Sequence, residues 1–414
     1  MTVILIHPTG SQFIRAVLRA LAGKDMLKTY FTTINLTGGS RYFGFLPSRI
    51  RQELERRVYP STGGRIVSFP AREIARQLAL RFGIKSLTRH ETGWACLDRV
   101  SESLDRHVAR VIRAGIEGSA AVYAYEDCAL NAFHAASEKG LKRFYELPIG
   151  YWRAGMKIFE EERALQPEWA MTIGGLRDSD EKHRRKDEEL RAADHIVVPS
   201  EFVRETLSLH PSFAASVDVL PYGAPPVDPA ALSGRRPGSK LRVLYVGQLS
   251  QRKGLSYLFK AMERLKGRAE LTLIGSRPDV ACAALTEALA RHAWLGAMPH
   301  ARLMRVMEQH DVLVLPSLFE GFSLVLLEAM SRGLPVITTP NSGAIPTIRD
   351  GKEGFIVPIR SADVIAERLN LLADDRSLLW TMSSAALESA TRQSWFNYGE
   401  SYAAMIQNRL GIHR

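Results

Sequence analysis

The segment between residues 312 and 338 constrains the fold more than any other part of the chain. Val312–Leu315 is a short apolar run closed by Pro316, a pattern typical of a buried parallel strand that ends where no amide donor is needed. A turn at residues 317–322 follows, then a helical pattern that stops at Gly333, and then a second apolar run at 335–338. Two strands joined by one helix predict a parallel sheet.

The same alternation of strand and helix patterns runs along the whole chain. Apolar strand patterns occur at 3–6, 120–125, 144–146, 195–199 and 217–220, and again at 242–246, 271–275 and 354–357. Residues 225–240 are rich in proline and have no apolar period, which is typical of a linker. The sequence therefore predicts an α/β protein with two doubly wound domains, 1–225 and 241–390, a linker at 226–240 and a helical segment at 391–414.

The composition is that of a globular protein, with 46% hydrophobic and 24% charged residues. No apolar run is long enough for a membrane span and the first residues do not resemble a signal peptide, so we expect a cytoplasmic protein. The three cysteines, Cys96, Cys128 and Cys282, are far apart and lack the spacing of zinc ligands, so neither disulfides nor a metal site are expected. The net charge of +11 favours an anionic partner such as a nucleotide, an anionic membrane or a nucleic acid.

The turn at residues 317–322 has the features of a phosphate site. In an open α/β sheet the carboxyl end of a strand and the free amides of the next helix face one crevice. Gly321 allows close approach to the backbone, and the amides of Phe322, Ser323 and Leu324 are expected to face a diphosphate. Glu328, further along the helix, suits a ribose diol, and Glu320 is expected to face the group that is transferred.

Several strand ends in the first half supply further candidates. Gly10 ends the turn that follows the first strand pattern and could let a ligand approach the helix start, although such a glycine is equally common as the end of an ordinary turn. Glu126 and Asp127 directly follow another strand, where active-site groups of these sheets collect. The aromatic loop at 147–153 suits sugar stacking or packing between domains. The acids at 178–180 resemble a metal-binding D-x-D motif but precede a charged helix, so we interpret Asp178 or Ser179 as a helix cap.

Two basic segments, residues 42–57 and 72–82, mix arginines with apolar residues. In the second, Ile74, Leu78 and Phe82 fall on one helical face. Such a face suits an anionic membrane, while the commoner alternative is a helix that packs on its own domain with its arginines in water.

The pair Glu320 and Glu328, in the order strand, Pro-Ser, Glu-Gly-Phe and helix, resembles the E-x7-E signature of family-4 (group 1) glycosyltransferases of the GT-B fold. Residues 246–254, which contain Gly247, Lys253 and Gly254, resemble a second motif of that family. The resemblance is specific within 240–360 and looser within 3–223. It implies two Rossmann-like domains that face each other across a cleft, and a C-terminal helix that crosses back to the first domain.

The resemblance also implies residue roles. Lys253 corresponds to the family's lysine that neutralises the donor diphosphate, while Gln248 stands where the family usually has arginine, so Arg252 is the alternative second cation. The implied catalytic residues are Glu320 and Lys253, to which the strand-end position adds Glu126 and Asp127. The expected donor-binding residues are Gly10, Gly247, Gln248, Arg252, Lys253, Gly321, Phe322, Ser323, Leu324 and Glu328.

The implied function is transfer of a hexosyl group, with retention, from a nucleotide diphosphate sugar to a carbohydrate or lipid-linked acceptor, without a metal or cofactor. Bacterial-type surface polysaccharide or glycolipid synthesis at the inner face of the cytoplasmic membrane is the expected setting, with no nucleic-acid partner. Two alternatives stay open: a nucleotide-sugar epimerase on the same fold, and a non-catalytic basic binding protein that keeps the scaffold.

Overall fold

The computed structural model describes residues 1–38, 54–55, 57–60, 65–174, 178–232 and 238–412. Most of the basic segment at residues 42–57 lies outside these ranges. Among the helices that the structure describes, none is long and apolar enough to span a bilayer.

The first half of the chain forms a seven-stranded parallel sheet in the order β3-β2-β1-β4-β5-β6-β7. Its strands are β1 (Thr2–Ile6), β2 (Leu27–Thr32), β3 (Arg65–Ser68), β4 (Ser119–Tyr125), β5 (Lys142–Glu146), β6 (His195–Val198) and β7 (Ser216–Val219). Its helices are α1 (Gln12–Gly23), α2 (Ala71–Arg81), α3 (Leu97–Ala114), α4 (Leu130–Glu138), α5 (Trp152–Leu165), α6 (Asp180–Ala192) and α7 (Glu201–Thr206).

The second half forms a six-stranded parallel sheet in the order β10-β9-β8-β11-β12-β13. Its strands are β8 (Leu241–Val246), β9 (Ala269–Ile274), β10 (Ala293–Trp294), β11 (Val312–Leu315), β12 (Val336–Thr338) and β13 (Gly354–Ile356). Its helices are α8 (Leu255–Arg264), α9 (Ala283–Ala290), α10 (His300–Met307), α11 (Leu324–Met330), α12 (Ala362–Asp374) and α13 (Arg376–Arg392). Strands β11 and β12 are buried along their length, as the apolar runs predict.

Both sheets share one winding order, with the chain reversing direction beside β1 and again beside β8. The prediction of two doubly wound, Rossmann-like domains is therefore confirmed. In such sheets, ligands bind outside the carboxyl ends of the strands at the reversal point. In this molecule those points are the ends of β1 and β4 in the first sheet, and of β8 and β11 in the second.

The last helix, α14 (Trp395–Arg409), returns to the first domain and packs along α1. The absence of a side chain at Gly399 permits this close approach, because a Cβ at that position would lie 2.6 Å from the Ala16 carbonyl oxygen. Tyr402 is fully buried and its ring meets that of Tyr123 edge-on at 5.4 Å. The predicted crossing helix is confirmed, while the domain boundaries drawn from the sequence stay a prediction.

Candidate active site

The loop after β11 lies at the junction of the two domains. Phe319 inserts its ring between Gly150 and Phe202 of the first domain, where a Cβ on Gly150 would lie 2.6 Å from the ring. Gly321 approaches Pro148 so closely that a Cβ would lie 1.6 Å from the Pro148 carbonyl oxygen. The Ser200 hydroxyl donates to the Gly321 carbonyl oxygen at 2.7 Å. Gly321, which the sequence predicts to allow close approach of a ligand, thus allows close approach of the first domain's backbone at Pro148.

A buried charge cluster stands beside this loop. Glu320 Oε1 lies 2.5 Å from Lys253 Nζ and 2.7 Å from Arg252 Nη1. Arg252 and Lys253 belong to a short 3-10 turn after β8, so the cluster joins the carboxyl ends of two neighbouring strands, β8 and β11. Burial lowers the pKa of Lys253, and the Glu320 carboxylate opposes this shift.

Gly254 makes this cluster geometrically feasible. Its φ of +73° is left-handed, and a Cβ there would lie 2.0 Å from the Pro316 carbonyl oxygen. Only glycine combines that backbone conformation with such close approach to the end of β11. The sequence element Lys253-Gly254 therefore positions the lysine against Glu320.

One of the predicted phosphate donors is engaged elsewhere. The Ser323 amide donates to the Ser342 carbonyl oxygen at 3.0 Å, and its residue is buried. The prediction for this amide is wrong, because the segment after β12 uses it to anchor the start of α11. The predictions for the amides of Phe322 and Leu324 stay predictions.

Glu328, the second acid of the pair, lies on α11, the helix that follows the loop with Glu320. Its Oε1 is 3.0 Å from Nε2 of His300, at the start of α10. The side chain of Glu328 is largely covered and that of His300 is half exposed. The two glutamates therefore occupy separate positions, which is what a site for an extended ligand requires.

A cavity of about 350 Å³ lies between the domains. Among the residues that line it are Trp152, His183 and Lys186 from the first domain, and Gln248, Ser250 and Arg252 from the second. Gln248 is exposed, and its carbonyl oxygen accepts a hydrogen bond from the Tyr245 hydroxyl at 2.8 Å. The cavity therefore joins the Arg252 end of the charge cluster to the carboxyl edge of the first sheet.

Glu126 and Asp127 lie at the end of β4, as predicted, and both are ion-paired. Glu126 Oε1 is 2.8 Å from Lys186 Nζ, and Asp127 Oδ1 is 3.0 Å from Arg185 Nη2. Burial raises the pKa of Glu126, with Lys186 opposing it. Burial acts in the same direction on Asp127, but Lys186 and Arg185 outweigh it and the pKa of Asp127 falls. These pairs hold α6 against the strand end, and a catalytic role for the two acids stays a prediction.

Gly10 is half-buried after β1, and its carbonyl oxygen accepts from Arg15 Nε at 3.0 Å. This contact belongs to the start of α1. The predicted donor role of Gly10 stays a prediction.

The aromatic loop at 147–153 is engaged in packing. The Tyr151 hydroxyl and the Trp152 indole nitrogen donate to Asp187 at 2.6 and 2.7 Å. The Trp152 ring stacks on His183 with a centroid distance of 3.9 Å, and Arg153 lies over the same ring at 4.3 Å. These partners all belong to the first domain. Packing between domains involves other residues of the loop, since Pro148 lies against Gly321 and Gly150 against Phe319, and sugar stacking stays a prediction.

The acidic segment at 178–180 begins α6. Ser179 is its N-cap and accepts from the Lys182 amide at 3.2 Å, which confirms the cap interpretation. Asp178 lies 3.0 Å from His90 and 3.1 Å from the Lys182 ammonium group. His90, Glu91 and Asp178 bring three possible metal-ligand atoms close together, but the Lys182 ammonium group already supplies a positive charge beside Asp178.

Comparison with known proteins now adds to this geometry. Residues 233–389 match the family model described as glycosyl transferases group 1. The second domain is a group 1 glycosyltransferase domain. All of the residues in the charge cluster, and Glu328, lie within it.

Two curated relatives of this group 1 domain are D-inositol 3-phosphate glycosyltransferases. The one from Arthrobacter sp. is 28% identical over 263 residues, which cover 56% of this chain and 62% of the relative. The one from Nocardia farcinica is 32% identical over 241 residues, which cover 52% of this chain and 53% of the relative. The alignments thus span little more than half the length of these relatives.

Solved structures match the chain over its whole length. Sucrose-phosphate synthase from Thermosynechococcus elongatus has a TM-score of 0.68 at 18% identity, with 100% of both chains covered. WaaG, a glycosyltransferase involved in lipopolysaccharide biosynthesis, has a TM-score of 0.58 at 16% identity, covering 98% of this chain and 99% of WaaG. At these identities the match shows the fold, which is GT-B.

The group 1 domain binds the first domain through residues that sequence reasoning missed. Glu162 of α5 is fully buried, and its carboxylate accepts from Gln251 Nε2 at 2.7 Å, Tyr257 Oη at 2.9 Å and Arg360 Nε at 2.8 Å. Lys186 was missed as well, because it lies in a helix of charged residues without an apolar period. The one available signal was its spacing of four residues from Lys182, which places both lysines on one helical face.

Proposed function

We propose that this protein transfers a hexosyl group from a nucleotide diphosphate sugar to an acceptor hydroxyl, with retention at the anomeric carbon. The observation that carries the proposal is the buried cluster of Lys253, Arg252 and Glu320 beside an interdomain cavity. A departing diphosphate carries negative charge, and preorganised cations in a site shielded from water stabilise it strongly. The group 1 match of the surrounding domain supports the same reaction class.

The roles follow from the positions of the side chains. Lys253 and Arg252 neutralise the diphosphate as the bond to the sugar breaks, which is the task a divalent metal performs in other transferases. Glu320 holds the two cations in place and faces the sugar. Glu328, on the helix that follows the Glu320 loop, takes the ribose hydroxyls, since a carboxylate accepts two hydrogen bonds from a diol.

A donor screen tests the proposal. Thermal unfolding with UDP, GDP, ADP and dTDP is expected to show a raised melting temperature for one of them, because a ligand that binds the folded state stabilises it by mass action. The matching nucleotide sugar should then release its nucleoside diphosphate in the presence of an acceptor. NMR of the product gives the anomeric configuration. An isomerised nucleotide sugar without released diphosphate would instead identify an epimerase.

Two variants separate a chemical role from loss of the fold. Lys253→Gln is expected to lower donor turnover at least about 100-fold, the usual effect of removing one group that stabilises a developing anion. Lys266→Gln removes an exposed lysine of the same domain and is expected to leave turnover unchanged. Equal turnover in the Lys253→Gln variant and the parent would point to the non-catalytic alternative.

We further propose that the acceptor is a carbohydrate or lipid-linked molecule. The first domain is proposed to contact the anionic inner face of the cytoplasmic membrane. Helix α2 supports this, because the large apolar side chains Ile74 and Leu78 on it, and Phe82 directly after it, are 46%, 49% and 70% exposed. Glu73 and Ala79 are the buried residues of that helix, and Arg57 and Arg76 hold the Glu73 carboxylate. Trp94 is also exposed, with the Arg72 guanidinium 4.7 Å above its ring.

Vesicle sedimentation tests this surface. The protein is expected to bind vesicles of phosphatidylglycerol and to bind phosphatidylcholine weakly, because arginines and apolar side chains act together on an anionic surface. Leu78→Glu with Phe82→Glu should release it. Phe396→Glu changes an equally exposed aromatic on α14 and serves as the control. Equal sedimentation of all three proteins would exclude α2 as the docking surface.

A further inference from the structure

The wall of the interdomain cavity that the first domain supplies contains a lysine with a fixed position. Lys186 lies on α6, and its ammonium group is 2.8 Å from Glu126 Oε1 and 3.8 Å from Asp127 Oδ2. Only 12% of its side chain is exposed. Burial opposes its charge, but Glu126 and Asp127 outweigh burial and raise the pKa of Lys186. A charged ammonium group therefore stands at this wall at neutral pH.

The opposite wall has limited positive charge to offer. Arg252 and Lys253 share the single carboxylate of Glu320, so this cluster has one net positive charge. Gln248, the other long side chain on that wall, is uncharged. A diphosphate has more negative charge than this cluster balances. Lys186 is itself balanced by Glu126, so the facing wall adds a positioned ammonium group with N–H donors rather than net charge.

A second observation indicates that a polar ligand belongs in the cavity. Ser250 is one of the residues that line it, and this residue is 2% exposed. Within the part of the chain that the structure describes, no hydrogen-bond partner reaches this oxygen. A buried hydroxyl without a partner is uncommon in a folded protein, and a ligand oxygen would satisfy it.

We propose that Lys186 is a donor-binding residue, which reaches across the cavity from the first domain to the diphosphate of the donor. An ammonium group has three N–H donors, so Lys186 can keep its contact with Glu126 while donating to a phosphate oxygen. The inference rests on the proposed function. It assigns to Glu126 and Asp127 the task of orienting this lysine, and it makes donor binding depend on the apposition of both domains.

Binding of nucleoside diphosphates to single variants tests the proposal by isothermal titration. UDP, GDP, ADP and dTDP are titrated first to find the one that the parent protein binds. Lys186→Gln is expected to weaken that binding at least about tenfold, as the loss of one charge-assisted hydrogen bond does. Lys186→Arg should stay within about threefold of the parent, because it keeps the charge. Arg191→Gln, which removes an exposed charge from the same helix, should bind like the parent.

A double variant keeps the test valid if Lys186→Gln alone fails to fold. Glu126→Gln combined with Lys186→Gln removes the buried pair as a unit, so neither partner is left charged and alone. It should show the same loss of affinity as Lys186→Gln. Adding Gln248→Arg to Lys186→Gln places a cation on the opposite wall and should restore most of the affinity.

The outcomes separate the two proposals. Suppose that the parent binds a nucleoside diphosphate and that Lys186→Gln and the double variant Glu126→Gln with Lys186→Gln bind it equally well. Lys186 is then not a donor-binding residue, and the proposed function stands. If the parent binds none of the four nucleotides, the proposed function itself fails.

Discussion

Glu146 should make the stability of this protein fall as pH rises through neutrality. It ends β5, is almost fully buried, and accepts one hydrogen bond, from the Tyr222 hydroxyl at 3.2 Å. Among the described residues no donor reaches its other oxygen, Oε2. Burial raises the pKa of Glu146 from 4.5 to about 8, and the Tyr222 hydrogen bond only partly opposes this.

The sign and size of the effect follow from proton linkage. Between pH 4.5 and about 8 the unfolded chain loses the Glu146 proton while the folded protein keeps it, so stability declines with rising pH. A pKa difference of about 3.5, at about 1.4 kcal/mol for each pH unit, corresponds to about 5 kcal/mol across the window. Glu146→Gln keeps the shape and cannot titrate. The variant should therefore gain on the parent by several kcal/mol between pH 5 and pH 8.5.

Urea unfolding followed by tryptophan emission at pH 5, 7 and 8.5 measures this gain. Glu117→Gln, which changes an exposed glutamate of the same domain, should follow the parent at every pH. The reasoning would be refuted if the free energies of unfolding of the parent and Glu146→Gln changed in parallel over this range. Glu189, whose pKa burial also raises to about 8, is present in all three proteins and does not affect the comparison.

Three further predictions test the site and the junction between domains. Glu320→Gln should lower kcat at least about 100-fold. Glu328→Gln should mainly raise KM, because the ribose is remote from the breaking bond. Steady-state kinetics that show the same change for both variants would contradict these assignments. Gly254→Ala should destabilise the protein by on the order of 3 kcal/mol, through backbone strain and a clash with the Pro316 carbonyl oxygen. Gly267 is also left-handed but has open space around it, so Gly267→Ala should cost about 1 kcal/mol. Equal melting temperatures of the two variants would contradict the clash. Glu162→Gln leaves a guanidinium across the interface without its buried carboxylate, so a melting temperature lower by several degrees is expected, and an unchanged value would show that this contact contributes nothing.

Local sequence signals account for the parts of the fold and site that were predicted correctly. The run Val312–Leu315 is apolar because its strand has neighbours on both sides and helices on both faces, so burial is visible in the residues themselves. Lys253-Gly254 was recognised through its resemblance to the family motif, and the structure explains the glycine, since a left-handed turn admits little else. Strands β2, β3 and β10 were missed, and β10, with only two residues, is too short to show a pattern.

Sequence alone thus determined two parallel-sheet domains and the placement of Glu320 and Lys253 at strand ends, because backbone preferences and apolar periodicity act over a few residues. The helix that crosses back was expected from the family resemblance. Tertiary structure alone decided which groups meet. It paired the Ser323 amide with the Ser342 carbonyl and Glu126 with Lys186, and it left Ile74 and Leu78 of α2 exposed. These outcomes depend on distances between segments far apart in the chain, and charge pairing and burial at such distances leave no periodic trace in the sequence.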